Sequence, residues 1–327
     1  MSDIRVAVID DWQNIAAQSA DWSVLQEKAQ VVFFQKNFPA EAEDEASKEL
    51  SSFDVILLMR ERSSFREPML KRLPRLKMIS ATGAKTPHID AEYCTKNGII
   101  ISQSTASVAG YAAEMTLALM LAAARKVPLG DASMRAGKFQ DGVGLGTVLR
   151  GRTLGIIGLG KIGTDMARYG TALGMRVVAW SQNLSNENAR AVGAERLEKD
   201  QLLSQSDVVT LHLVLSERSR GVLGASELAK MKDGAILVNT SRGPLVDESA
   251  LLKALQAGRI VAALDVYDVE PLPADHSIRY APNTVLSPHL GFSTKEVFRD
   301  FYQGAIDNII AFLEGSPIRV ANPDVLK

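Results

Sequence analysis

Thr153-Leu154-Gly155-Ile156-Ile157-Gly158-Leu159-Gly160-Lys161-Ile162-Gly163 reads as a strand, a glycine turn and the start of a helix. In a βαβ unit the first glycine, Gly158, makes the tight turn, and Gly160 lets the backbone approach a pyrophosphate. Gly163 allows close packing of helix on strand, while the helix N-terminus faces the anion. A lone G-x-G-x-x-G is weak evidence. The next β-like run, Arg176-Val177-Val178-Ala179-Trp180, arrives one helix length later and gives the motif its context.

At 327 residues the chain exceeds what one ordinary core organises, so two domains are expected. Its 37 basic and 38 acidic side chains leave no net field to hold nucleic acid or an anionic membrane, and 46% hydrophobic content supports full globular folding. The single cysteine, Cys94, excludes an internal disulfide and points to a reducing cytoplasm. It falls in a helix-like segment, where a packed thiol is commoner than a nucleophile. The strand pattern starts at Ile4 with no export signal before it.

Short β-rich runs alternate with helical segments throughout, predicting parallel sheets with right-handed crossovers. One group of runs covers residues 4–9, 53–59, 76–80 and 99–102. A second covers 153–157, 177–180, 208–213, 235–239, 261–266 and 284–287. Between them residues 108–127 form an Ala-, Leu- and Met-rich stretch that contains Glu114 and closes on Arg125-Lys126. It is expected to be one long helix, buried on most sides between the domains rather than a membrane span. Residues 296–314 form an amphipathic helix without a strand of the second group to cover, so the helix is expected to return to the first domain. The expected domains are therefore 1–104 plus 293–327, and 105–292. The acidic stretch Glu41-Ala42-Glu43-Asp44-Glu45 is most simply the solvated start of a helix.

Candidate chemistry gathers at the carboxyl ends of the second group of strands, where open α/β sheets hold ligands. Arg242, in Asn239-Thr240-Ser241-Arg242-Gly243-Pro244, has a planar fork suited to a carboxylate, or else bonds loop carbonyls structurally. Asp265 ends Ala263-Leu264-Asp265 and could accept from an amide. Glu270 precedes Pro271, and His289 lies in Ser287-Pro288-His289-Leu290-Gly291. A lone histidine is most often a packing residue; an Arg, a Glu and a His on successive strand ends beside a dinucleotide turn suggest a catalytic set.

Gly-Leu-Gly-Lys-Ile-Gly, Asn-Thr-Ser-Arg-Gly-Pro-Leu-Val-Asp, Ala-Leu-Asp-Val, Glu-Pro and Pro-His-Leu-Gly occur here in that order. In this they resemble the D-isomer-specific 2-hydroxyacid dehydrogenases. Ile79-Ser80-Ala81-Thr82-Gly83 and the long helix extend the resemblance over nearly the whole chain. It implies an α/β fold of two doubly wound parallel-sheet domains, a Rossmann NAD(P)-binding domain inserted into a discontinuous flavodoxin-like substrate domain. The same resemblance implies that Arg242 holds the substrate carboxylate and keto oxygen, His289 transfers the proton and Glu270 supports the histidine. Asp265 then meets the nicotinamide carboxamide, Lys161 and Ile162 contact pyrophosphate through their backbone, and Ser181, His212 and Thr240 lie on the cofactor side. Thr82, Gly83 and Ala84 offer amides to the substrate carboxylate. The long helix suggests a homodimer.

Two departures stand out. Gly83-Ala84-Lys85 replaces the family's Gly-Val-Gly, making Lys85 either a cation at the substrate mouth or a plain surface lysine. Arg60 is likewise a candidate for substrate charge or an ion-pair partner of Glu61. After the second nucleotide-domain strand the chain reads Trp180-Ser181-Gln182-Asn183, with neither the acid of NAD-specific members nor an adjacent arginine, so NAD and NADP both stay open. The expected reaction is reversible hydride transfer between NAD(P)H and a small 2-oxo acid, in the manner of glyoxylate or hydroxypyruvate reductases. It needs no metal, and no Cys/His cluster has ligand spacing. A formate or phosphite dehydrogenase is one alternative, although formate dehydrogenases pair their histidine with glutamine. A nucleotide-sensing binding protein of the corepressor type is the other.

Overall fold

The computed structural model describes residues 4–107 and 110–327. They divide into two compact units, Met1–Ala109 with Thr294–Lys327, and Gly110–Ser293. Each unit is built on one parallel sheet.

The first sheet contains β1 (Arg5–Val8), β2 (Gln30–Phe33), β3 (Val55–Leu58), β4 (Met78–Thr82) and β5 (Ile100–Ser104), ordered β2-β1-β3-β4-β5. That is the flavodoxin-like doubly wound order. Val55-Ile56-Leu57-Leu58 is buried at every position, because helices on both faces leave a central parallel strand no solvent side. The helix Lys295–Leu313 covers β4 and β5 with Phe298, Phe301, Ile306 and Ile309. Its N-cap is Thr294, whose hydroxyl accepts the Val297 amide at 3.3 Å. Here the acidic stretch does open a helix, Glu43–Leu50, whose first turn carries Glu43, Asp44 and Glu45.

The second sheet contains β6 (Thr153–Ile157), β7 (Arg176–Trp180), β8 (Glu195–Arg196), β9 (Val208–Leu211), β10 (Ala235–Asn239), β11 (Ile260–Leu264) and β12 (Thr284–Leu286). Its order, β12-β11-β10-β9-β6-β7-β8, is the dinucleotide-binding arrangement with one further strand. Strand order reverses between β6 and β9, and the glycine turn leaves β6 there. Two strands were not expected from sequence. β2 and β8 are sheet edges, partly exposed and four and two residues long; β8 shows no apolar run, whereas the Val31-Val32-Phe33 run of β2 was overlooked.

Most of the helix expected in 108–127 forms and is buried or half-buried, with only Glu114, Ala118 and Arg125 exposed between Tyr111 and Arg125. Val108 lies outside the described residues, one helix runs Tyr111–Arg125, and a second runs Val127–Arg135. Lys126 sits between them in the left-handed region at φ 54°, and Pro128 in the first turn of the second helix cannot continue the first. The first helix buries one stripe, including Ala113, Thr116, Leu119 and Met120, and packs on β10, β11, β12 and the helix Lys161–Ala172 of its own unit. Among the described residues no helix is long and apolar enough to cross a membrane.

Candidate active site

The glycine turn has the geometry its residue types demand. Gly158 has φ +101°, and a Cβ there would stand 2.7 Å from the carbonyl of His212 at the end of β9. At Gly163 a Cβ would meet the Gly158 carbonyl oxygen at 2.2 Å, so both positions exclude any side chain. Gly160 differs: a Cβ would meet nothing within 4 Å, and this open face precedes the helix Lys161–Ala172, of which Gly160 is the N-cap. Lys161 and Ile162 open that helix, with free amides directed to its N-terminal end. A cavity of about 370 Å³ follows on the same edge of the sheet, lined by Trp180, Ser181, Gln182, Asn183, Leu213 and Arg218 among others. Open space at Gly160, uncapped helical amides and an adjoining cavity fit a dinucleotide. Arg218 is the one charged group of this lining, and nothing in its exposed loop marks it in the sequence.

His212 and Thr240 follow β9 and β10. Burial holds the His212 pKa down to about 3, and its Nε2 is buried without a hydrogen-bond partner. His212 is therefore a neutral ring and no competitor for proton transfer. The Thr240 hydroxyl lies 2.6 Å from that of Thr116 on the helix Tyr111–Arg125.

Arg242, Glu270 and His289 follow β10, β11 and β12, three neighbouring parallel strands, and so share one sheet edge. Gly243 makes the Arg242 turn possible, since a Cβ there would lie 2.2 Å from the Tyr267 carbonyl carbon. Asn239 braces the turn, donating to the Arg242 carbonyl at 2.9 Å and accepting the Ser241 amide at 3.1 Å. One Arg242 nitrogen donates to the Ser241 carbonyl at 2.7 Å. A part of the guanidinium thus serves the loop, which aims the fork.

Glu270 and His289 are brought together. Nδ1 of His289 lies 2.5 Å from Oε2 of Glu270, and Oε1 accepts the Tyr267 amide at 2.9 Å. Both side chains are about a quarter exposed, at 26% and 27%. The bond from Glu270 to Pro271 is cis. With Nδ1 engaged, Nε2 is the nitrogen left for chemistry. The His289 ring stands edge-on to Phe292 at 5.5 Å, and its backbone has φ 53°.

Asp265 is bonded on both oxygens to the loop after β12. It is fully buried, and its Oδ1 accepts the Ser287 hydroxyl at 2.6 Å and the Leu290 amide at 2.7 Å. Oδ2 accepts the Gly291 amide at 2.7 Å. Burial pushes its pKa up against the pull of these donors. Three bonds from one carboxylate therefore clamp the chain on both sides of His289 and sustain its left-handed backbone. The sequence placed Asp265 on a strand end but could not show that the amides it accepts belong to its own chain.

Arg60, Thr82 and Gly83 meet in the first unit. The Arg60 amide donates to the Thr82 hydroxyl at 2.8 Å, and an Arg60 nitrogen would lie 2.7 Å from a Cβ on Gly83. Arg60 also approaches Glu61 at 3.6 Å, so the ion pair weighed from sequence is present. Thr82 is buried, and the Gly83 amide donates to the Ser104 carbonyl at 2.7 Å. These two support the turn from inside. Ala84 is exposed and its amide has no partner among the described residues; Lys85 beside it is exposed. Cys94 is fully buried, and burial pushes its thiol up to about 12, the state of a packing residue. Among the described residues no group of His, Cys, Asp and Glu could hold a metal ion.

The family model of the NAD-binding domain of D-isomer-specific 2-hydroxyacid dehydrogenases matches residues 117–291. The chain belongs to that family. It is 39% identical to a glyoxylate reductase of Aeropyrum pernix over 268 residues, 79% of this chain and 80% of that protein. It is 36% identical to a D-3-phosphoglycerate dehydrogenase of Archaeoglobus fulgidus over 279 residues. That match takes in 85% of this chain but 53% of the relative, so the chain spans about half the archaeal protein's length. Among solved structures, a phosphoglycerate oxidoreductase of Vibrio cholerae O395 superposes with a TM-score of 0.89 at 34% identity, covering 95% of this chain and 99% of that one. The family carries an NAD-binding domain, and the glycine turn and cavity described above lie within it.

Proposed function

We propose that this dehydrogenase catalyses reversible reduction of a small 2-oxo acid to the D-2-hydroxy acid, in the class of glyoxylate and hydroxypyruvate reductases. The observation that carries the reading is the 2.5 Å contact of His289 with Glu270, on a loop clamped by Asp265 and on the sheet edge that also bears Arg242. A bound nicotinamide dinucleotide would supply or accept the hydride. Arg242 holds the carboxylate and polarises the keto oxygen. Protonated His289 donates from Nε2 to the developing alkoxide in reduction and, neutral, takes the proton back in oxidation. Glu270 fixes the ring through its bond to Nδ1. In the first unit, Arg60 and the Ala84 amide are assigned to substrate charge.

Assay of glyoxylate, hydroxypyruvate, pyruvate and larger branched or aromatic 2-oxo acids, each with NADH and NADPH, tests the activity. His289→Gln is expected to lower turnover roughly 10²–10⁴-fold in both directions while dinucleotide binding persists. A variant with normal turnover would remove His289 from the chemistry.

A second copy of the chain is the proposed partner. Phe139, Leu145 and Val148 are 71%, 93% and 69% exposed, and Val127, Leu129 and Met134 on the preceding helix are also exposed. Single exposed apolar residues are ordinary, but six within 22 positions are apolar area that association of two copies would cover. A cytoplasmic site of action goes with the one free cysteine.

A further inference from the structure

The two nicotinamide dinucleotides share their pyrophosphate and nicotinamide and differ at the adenosine ribose, where one carries a 2′-hydroxyl and the other a 2′-phosphate. A hydroxyl pair is best met by a carboxylate acceptor. A phosphate monoester carries about −1.5 to −2 charges at neutral pH and requires donors and a cation.

The cavity beyond β7 supplies donors and a cation. Ser181, Gln182 and Asn183 enter it from the end of β7, and Ser216 and Arg218 enter from the turn after β9. Among the described residues that line it, Arg218 alone carries a formal charge, and no carboxylate is present. Arg218 is exposed and has no ion pair or hydrogen bond among the described residues. Lys199, the cation near the Trp180 ring at 5.9 Å, is occupied by Glu227 at 3.0 Å.

Both walls are fixed. The Ser219 hydroxyl donates to the Val214 carbonyl at 2.7 Å and accepts the Ser216 amide at 2.8 Å, which staples the turn that presents Arg218. On the other side the Leu184 amide donates to the Ser181 carbonyl at 3.1 Å, and Arg196 donates to the Leu184 carbonyl at 2.8 Å. The backbone that carries the donors therefore does not have to be ordered by the ligand, which lowers the entropic cost of binding.

We infer that this cavity selects the 2′-phosphorylated dinucleotide, with Arg218 as the specificity-determining cation and Ser181, Gln182 and Asn183 as hydroxyl and amide donors. The inference rests on the dehydrogenase reading and adds to it the choice of NADPH over NADH. Arg218 lies on the turn opposite the strand end where an acid or arginine sets this preference by sequence, which is why Trp180-Ser181-Gln182-Asn183 by itself is silent.

Adenosine 2′,5′-bisphosphate and 5′-AMP are suitable probes, because they isolate the adenosine half and are read by the fluorescence of Trp180 without turnover. The bisphosphate is expected to bind at least roughly tenfold tighter than 5′-AMP, with an affinity that falls as salt rises. Arg218→Ala should bring the two affinities to within about threefold by weakening the bisphosphate, and Arg218→Lys should restore part of the preference. NADPH and NADH titrations should follow the same pattern. Equal binding of the two probes to the unaltered protein, or a preference that survives Arg218→Ala, overturns the inference while leaving the dehydrogenase reading intact. Failure of NADPH and NADH alike to bind would overturn both.

Discussion

Glu270 holds His289 from one side with a single oxygen, Oε2 at 2.5 Å from Nδ1, while its other oxygen is anchored to the Tyr267 amide. The carboxylate is thus fixed by the backbone before it meets the ring. Glu270→Gln keeps the shape but offers Nδ1 an uncharged amide in place of a carboxylate, so the bond weakens and the aim of the ring loosens. The expected outcome is a fall in kcat in both directions with dinucleotide binding nearly unchanged. Turnover and dissociation constants measured for the variant check this; normal turnover would remove Glu270 from the orientation of the ring.

Asp265→Asn separates a loop clamp from a cofactor contact. Oδ1 accepts the Leu290 amide and Oδ2 the Gly291 amide, so in asparagine one backbone N–H must face the side-chain NH2. His289 lies next to Leu290, and a shift of about 1 Å in a reacting group costs on the order of 10²-fold in rate. The expected outcome is a fall of that size in kcat with the NADPH and NADH dissociation constants nearly unchanged. A raised dissociation constant with kcat preserved would return Asp265 to the cofactor.

The placing of Arg242, Glu270 and His289 on one sheet edge was legible because each follows an apolar run that reads as a buried strand, and such runs end at one edge of a parallel sheet. The missing pieces are residues whose role depends on what folds against them. The sequence shows Asp265 as an acceptor at a strand end but not the Leu290 and Gly291 amides that come to it from the end of β12. Nor does the sequence show that the Thr82 hydroxyl accepts the Arg60 amide and that the Gly83 amide donates to the Ser104 carbonyl. Arg218 sits in an exposed turn with no periodicity, and only the cavity opposite Ser181 gives it a meaning. The close of the apolar stretch at Arg125-Lys126 was legible, but not the second helix, Val127–Arg135, that follows it with Pro128 in its first turn.

Leu145 and Phe139 report on association. If a second copy covers this surface, Leu145→Asp with Phe139→Asp places two charges in an apolar contact and should dissociate it, each unpaired buried charge being prohibitive. Sedimentation at micromolar concentration is expected to show a mass falling from twice the 35.4 kDa chain to once. An unaltered chain that sediments as a monomer would leave this surface without its proposed partner.

Asp10 provides a pH-dependent stability that is independent of the catalytic residues. Burial raises its pKa from 3.8 to about 7, against the opposing effects of the Ser63 hydroxyl, Arg62 and the Met59 amide. It is fully buried, with φ 69°, and its carboxyl accepts from Ser63 at 2.5 Å and from the Met59 amide at 3.3 Å. Between pH 4 and 7 the folded chain keeps a proton that the unfolded chain has released. The stabilisation is therefore complete below the unfolded value of 3.8 and is lost as pH rises through about 7. Asp10→Asn is neutral in both states and lacks this dependence. Its stability relative to the unaltered protein is expected to rise between pH 5 and 8 by on the order of a few kcal/mol, since each pKa unit is worth about 1.4 kcal/mol. Urea midpoints for both proteins across that range provide the measurement. A constant difference would mean that Asp10 is ionised throughout, with its charge offset by Ser63 and Arg62.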